Sequence, residues 1–221
     1  MKKIPYIFLI FLLTSNIYAL SFTYNNVIYG VGHYVNPDFH TTYDIPEGEA
    51  YVAKFPNDIE ELVIPPEVEF DGKKYTVTDI VIHASEVKKE AVAGQGIKKV
   101  VLPNTIKKLD SGALSDCRQL EEVNIPASLV TIERNSFPVY DRYLENPNAS
   151  LKKITVDENN PAYENIGGAL IDKNAQEILV YPQHGENNFY IIPKEIKEIQ
   201  TTVFQTDRPF KIVVYEKTYG E

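Results

Sequence analysis

The chain has 221 residues, 43% of them hydrophobic, which is enough for one packed domain or one short repeat array. Its net charge of −9, without a basic cluster, argues against binding nucleic acid or an anionic membrane surface, because nothing would neutralise the phosphates or headgroups. Its single cysteine, Cys117, cannot close an internal disulfide, so stability has to come from packing.

In chain order, residues 1–19 read as a secretory signal peptide. Lys2 and Lys3 precede an apolar run over 4–13, Thr14-Ser15-Asn16 is polar, and Ile17-Tyr18-Ala19 puts a small residue at the cleavage point. The run is too short for a comfortable membrane span, and no later run reaches the roughly 18 apolar residues that a span needs. Cleavage after Ala19 removes Lys2 and Lys3 and takes the net charge from −9 to −11. Leu20, not a cysteine, follows, which disfavours a lipid anchor. The expectation is a secreted protein, extracellular or at the cell surface, with the periplasm as the alternative and no membrane insertion after cleavage.

Residues 20–58 lack the pattern that follows and carry Tyr24, Tyr29, Tyr34, Tyr43 and Tyr51. Phe22 and Tyr24 alternate, and Asn25-Asn26 offers a turn before Val27 and Tyr29. Short antiparallel strands forming an N-terminal β cap are expected, since a repeat array would otherwise expose its first core layer. A tyrosine-rich ligand surface is the alternative.

From residue 59 to 221 the chain repeats. Ile97, Val100, Leu102-Pro103, Ile106, Leu109 and Ala113-Leu114 form one unit. Leu120, Val123, Ile125-Pro126, Leu129, Ile132 and Ser136-Phe137 form the next, each 23 residues on. That period lies in the leucine-rich-repeat range. Ile59, Leu62, Ile64-Pro65 and Val68 open another unit, which resumes at Ile80 and Ala84 after an insertion. Tyr190, Ile192-Pro193, Ile196, Ile199 and Val203-Phe204 form a further one. Leu151, Ile154 and Val156, and Phe210, Val213 and Tyr215, are strand halves alone. In each unit an apolar alternation marks a short strand with one buried face, and proline ends it because it has no N–H to donate. The return limb then turns its apolar residues inward. One unit cannot bury its apolar face alone, so units stack and their strands form a short parallel sheet. Ile64, Leu102, Ile125, Val156 and Ile192 are expected to stack in one inward column.

The phrase Cys117-Arg118-Gln119-Leu120-Glu121-Glu122-Val123-Asn124-Ile125-Pro126, closing at Ser136-Phe137, resembles the BspA-like leucine-rich repeats of bacterial secreted and cell-surface proteins. So do Tyr75, Val77-Thr78 and Ile80. Asn160-Pro161-Ala162-Tyr163, Gly167-Gly168-Ala169-Leu170 and Ile178-Leu179-Val180-Tyr181-Pro182 resemble an insertion of the same family. Ser85 departs from it, standing where a closing Phe is usual. The resemblance implies a right-handed, mostly β solenoid with irregular return limbs. It also implies a recognition module for a protein or glycan, including adhesion. A structural or accessory part of an envelope assembly is the alternative.

Three segments depart from the frame. Residues 86–95 have room for one or two helical turns ending at Gly94 or Gly96. Residues 138–150 read as a polar loop. Residues 167–182 read as a hairpin turning at Asp172-Lys173-Asn174-Ala175.

No constellation points to an enzyme or a cofactor. His33, His40, His83 and His184 include no helical metal pair, and Asp38 with His40 is a commonplace spacing. Asp157-Glu158 reads as solvated surface, Gly94-Gln95-Gly96 as a turn, Cys117 as a small packed side chain and Asn148-Ala149-Ser150 as an accidental glycosylation triplet. The candidate partner-binding residues are those that alternate outward in each strand: Val63, Val101, Asn124, Thr155, Ile191 and Val214. They are expected to line up across the sheet beside Glu61, Lys99, Glu122 and Lys153. An apolar row with a polar edge suits docking, while a cover such as 138–150 would make it core.

Overall fold

The structure, a computed structural model, describes residues 19–36, 41–82, 94–138, 150–182, 184–186, 189–200, 203–204, 209 and 211–213. The signal segment up to residue 18, Asp38, His40, His83, Ser85, Asn148, Val214, residues 86–93 and 139–149 lie outside this set.

The described elements are strands. Four open the chain: β1 (Ala19–Tyr24), β2 (Val27–Asn36), β3 (Thr41–Asp44) and β4 (Glu49–Lys54). The repeats begin with β5 (Glu61–Val63), β6 (Glu67–Phe70) and β7 (Lys73–Ile80), followed by β8 (Lys99–Val101) and β9 (Lys108–Leu109). Next come β10 (Glu122–Ile125), β11 (Thr131–Ile132) and β12 (Lys153–Val156). The remainder are β13 (Tyr163–Ile166), β14 (Ala169–Asp172), β15 (Glu177–Val180), β16 (Phe189–Ile191), β17 (Glu198–Ile199) and β18 (Lys211–Val213).

The first strand of successive units builds a parallel sheet in the order β12-β10-β8-β5. The return limbs are not irregular, as the sequence suggested. They pair as well, through β7, β9 and β11, in a second sheet that the N-terminal strands extend in the order β1-β2-β4-β7-β9-β11. Between the two sheets lie Leu62, Ile64, Val100, Leu102, Ile106, Leu109, Leu120, Val123, Ile125 and Leu129, all buried in one core. Val156 packs against that core half-buried. Ile192 belongs to a second, smaller core with Ala169, Ile171, Ile178, Tyr181, Tyr190 and Val203, so the expected inward column breaks before it.

The N-terminal strands share the larger core. Asn25 and Asn26, both at positive φ, turn β1 into β2, as expected. Tyr29 and Tyr51 are buried, not offered to a ligand, and Tyr24 is exposed. The Tyr51 ring lies across Gly30, where an added Cβ would sit 2.2 Å from its Cζ, so only glycine fits in that register.

The insertion is longer than the hairpin expected over 167–182. Gly167 and Gly168, at φ 59° and 97°, form a two-residue turn that pairs β13 with β14 before β15 is reached. This turn type demands positive φ at both positions, which two glycines meet without strain. Alternation then gives the meander two working faces. Tyr163, Leu170 and Leu179 enter the larger core, while Ala169, Ile171 and Ile178 enter the smaller one.

Candidate binding surface

The parallel sheet places four of the six candidate residues side by side. Val63 pairs with Val101, and Asn124 with Thr155, while the pairing of Val100 with Val123 joins the two halves. Val63 is 60% exposed and Thr155 is exposed, whereas Val101 and Asn124 are half-buried. Asn124 is not free to read a partner, because its side chain serves the neighbouring strand. Its Oδ1 accepts from Leu102 N at 2.7 Å and its Nδ2 donates to Leu102 O at 2.8 Å. This amide holds the end of β8 where Pro103 stops the strand.

Of the other two candidates, Ile191 does not join that row, and Val214 lies outside the described residues. Ile191, 44% exposed, lies in a separate two-stranded sheet of β16 and β18. The repeat frame places Val213 opposite Tyr190 and Val214 opposite Ile191. The observed register instead pairs Tyr190 with Ile212 and Ile191 with Val213. The offset between these strands is therefore 22 residues, not 23, and Val213 takes the place opposite Ile191.

Beside the row runs a double ladder of charge that sequence reading detected only in part. Each strand is entered through a pair of like charges: Glu60-Glu61, Lys98-Lys99, Glu121-Glu122 and Lys152-Lys153. Stacking alternates the signs. Lys98 Nζ lies 2.6 Å from Glu60 Oε1, Lys99 Nζ 2.8 Å from Glu61 Oε1, and Lys152 Nζ 2.8 Å from Glu121 Oε2. Hydrogen bonding to these carboxylates holds both ammoniums, Lys98 and Lys99, above the ordinary lysine range, and Lys152 holds Glu121 below the ordinary glutamate range. Exposed pairs of this kind contribute little to stability. Their consequence is register: along the flank, doublets of opposite sign stand side by side. The signal was available in the sequence as doublets of alternating sign at the repeat spacing.

The backbone follows the same ladder. Glu60 O accepts from Lys98 N and Lys99 N at 2.7 and 3.0 Å, and Lys98 O accepts from Glu121 N and Glu122 N at 2.7 and 3.0 Å. Glu121 O then accepts from Lys152 N and Lys153 N at 2.8 and 3.0 Å.

Among the described residues, no three His, Cys, Asp or Glu side chains gather where a metal ion could be held. His33 Nδ1 is engaged by the Asp44 carboxylate. Cys117 is buried, and burial pushes its thiol up to about 12, which keeps it a packed neutral group.

Comparison with known proteins places these observations. Several solved structures are similar to the chain. The pneumococcal vaccine antigen PcpA is 16% identical, with a TM-score of 0.37, covering 90% of this chain and 67% of that one. A leucine rich cell surface protein from Faecalibacterium prausnitzii is 13% identical, with a TM-score of 0.37 and coverage of 89% and 76%. A leucine-rich repeat protein from Bacteroides ovatus is 18% identical, with a TM-score of 0.43 and coverage of 83% and 40%. No curated protein matches the chain. Residues 66–177, just over half of the sequence, match the BspA type leucine rich repeat region in six copies. With paired sheets, stacked units and that match, the chain belongs to the BspA-type leucine-rich repeat family.

Proposed function

We propose that this protein is a secreted or cell-surface recognition module that binds a protein or glycan through the outward face of β5, β8, β10 and β12. On this reading residues 1–19 direct export and are removed, residues 20–58 cap a right-handed coil, and binding, not catalysis, is the activity. The observation that carries it is the row of Val63, Val101 and Thr155, held in register beside a flank of alternating charged doublets. Two valines and a threonine methyl, partly exposed beside a charged edge, gain from desolvation by a partner. The names of the similar proteins, a vaccine antigen and a cell surface protein, support a surface location.

The test is a binding screen of the mature protein against purified extracellular matrix proteins and a glycan array. Val63→Asp with Thr155→Asp is the matched variant, chosen because both side chains are exposed. The reading expects a captured partner that the variant loses while its melting temperature stays within a few degrees. Equal capture by both proteins would move the binding site elsewhere.

A further inference from the structure

The row above concerns the face of the parallel sheet. A separate observation concerns its edge, and does not depend on what the face binds. In three units the two N–H groups of the entering charged pair donate to a carbonyl of the preceding strand, as Lys98 and Lys99 do to Glu60 O. Glu60 and Glu61 occupy the same position on β5, and among the described residues no acceptor meets their N–H groups. Glu60 O and Ile64 N both face β8. Strand geometry therefore turns the N–H and C=O of Glu61 and Val63 to the other side, where no described strand pairs with β5.

The charges carry the same gap. Glu121-Glu122 on β10 has a lysine pair on each side, Lys98-Lys99 and Lys152-Lys153. Glu60-Glu61 on β5 has Lys98-Lys99 on one side and no cationic pair among the described residues on the other. The missing neighbour has a template within the fold, in β8 lying against β10. There the sequence Lys98-Lys99-Val100-Val101-Leu102 runs parallel to Glu121-Glu122-Val123-Asn124-Ile125. Lys99 pairs with Glu122 and Val100 with Val123, and Lys98 O accepts both glutamate N–H groups.

We propose that the outer edge of β5 takes a parallel strand from a partner protein whose sequence places two adjacent lysines or arginines immediately before alternating aliphatic residues. Backbone pairing supplies attachment, the glutamate pair selects the basic doublet, and Val63 receives the partner's outward aliphatic side chain. Glutamates on an edge strand can also serve as guards against any added strand. A guard and a docking edge differ in what they do to a basic strand, and that difference is measurable.

The probe is a labelled capped peptide, Lys-Lys-Val-Val-Leu-Pro, copied from residues 98–103 and titrated into the mature protein by fluorescence anisotropy. The expected result is saturable binding that weakens about tenfold or more when the peptide begins Glu-Glu, two exposed ion pairs being worth roughly that factor. N-methylation at the first valine, whose counterpart Val100 turns its amide toward β10, should abolish binding, while N-methylation at the second valine should leave it nearly unchanged. On the protein side, Glu60→Gln with Glu61→Gln should remove the preference for the basic peptide. The peptide arms use the unaltered protein, so a poorly folding variant does not blunt the test. No binding of either peptide, equal binding of both, or equal tolerance of the two methylations would overturn the proposal. So would concentration-dependent self-association of the protein lost in the same double variant, which would make a second copy the occupant.

Discussion

Asn160 shows how much one polar side chain can hold when it is buried. Its Nδ2 donates to Pro126 O and Leu129 O at 2.7 and 2.9 Å, and its Oδ1 accepts from Ala162 N and Tyr163 N at 2.9 and 2.7 Å. All four bonds of the amide are made, which ties the return limb of one unit to the start of the insertion. In the sequence, Asn160 stands out only as the start of the phrase Asn160-Pro161-Ala162-Tyr163, because residue type gives no hint that two distant carbonyls converge on it. Asn160→Ala leaves Leu129 O, Ala162 N and Tyr163 N without a partner, while Pro126 O keeps its bond from Leu129 N. It is expected to cost about 3–5 kcal/mol in urea unfolding, at 1–3 kcal/mol for each group that water cannot reach. A loss below about 1 kcal/mol would mean that water replaces the amide.

Asp79 points the other way. Burial raises its carboxyl above the ordinary aspartate range, opposed by the Thr78 hydroxyl, which donates to Asp79 Oδ2 at 2.5 Å, and reinforced by Glu49. The ammoniums of Lys107 and Lys108 offset this only in part. A folded-state pKa above the unfolded one means that the folded protein holds its proton more tightly. The favourable contribution is therefore complete below the unfolded pKa and is lost as pH rises through the folded one. Asp79→Asn, which cannot ionise, should raise the melting temperature at pH 7 and leave it unchanged near pH 3. A variant less stable than the parent at pH 7 would show that the lysines outweigh burial.

At the scale of elements, the strands that were legible are those long enough to alternate. Leu62 with Ile64, and Val123 with Ile125, announce a buried face two residues apart, and Pro65 and Pro126 mark where each strand stops. The return strands were not legible, because Lys108–Leu109 and Thr131–Ile132 are too short to show any period. Nor was the meander's role, since both of its faces are apolar and only the fold assigns Leu170 to one core and Ile171 to the other. It also closes two edges: Tyr163 OH accepts from Ile132 N on β11, and Asn165 Nδ2 donates to Ile154 O on β12. A partition of this kind divides cooperativity. Ile125→Ala is expected to cost about 2–5 kcal/mol and to speed amide exchange across β8, β10 and β12. Ile192→Ala should speed exchange around β16 and leave β10 unchanged. Equal loss of protection in both regions from either variant would mean that the two cores unfold as one.

For the whole molecule, the repeat was written in the sequence but its continuity was overread. A 23-residue spacing carries Leu102 onto Ile125 and predicts stacking correctly. The same frame cannot show that the insertion after Asn160 ends the parallel sheet at β12 and starts a second core. That is why Ile191 falls outside the row. What remains is a short outward face of four strands, with the ladder of glutamates and lysines fixing their order. The most direct test of that face is hydrogen exchange on the mature protein with and without the partner captured in the screen. Protection is expected over 61–63, 99–101, 122–125 and 153–156, with the return strands unchanged. Protection confined to β7, β9 and β11, with the parallel sheet unaffected, would contradict the account.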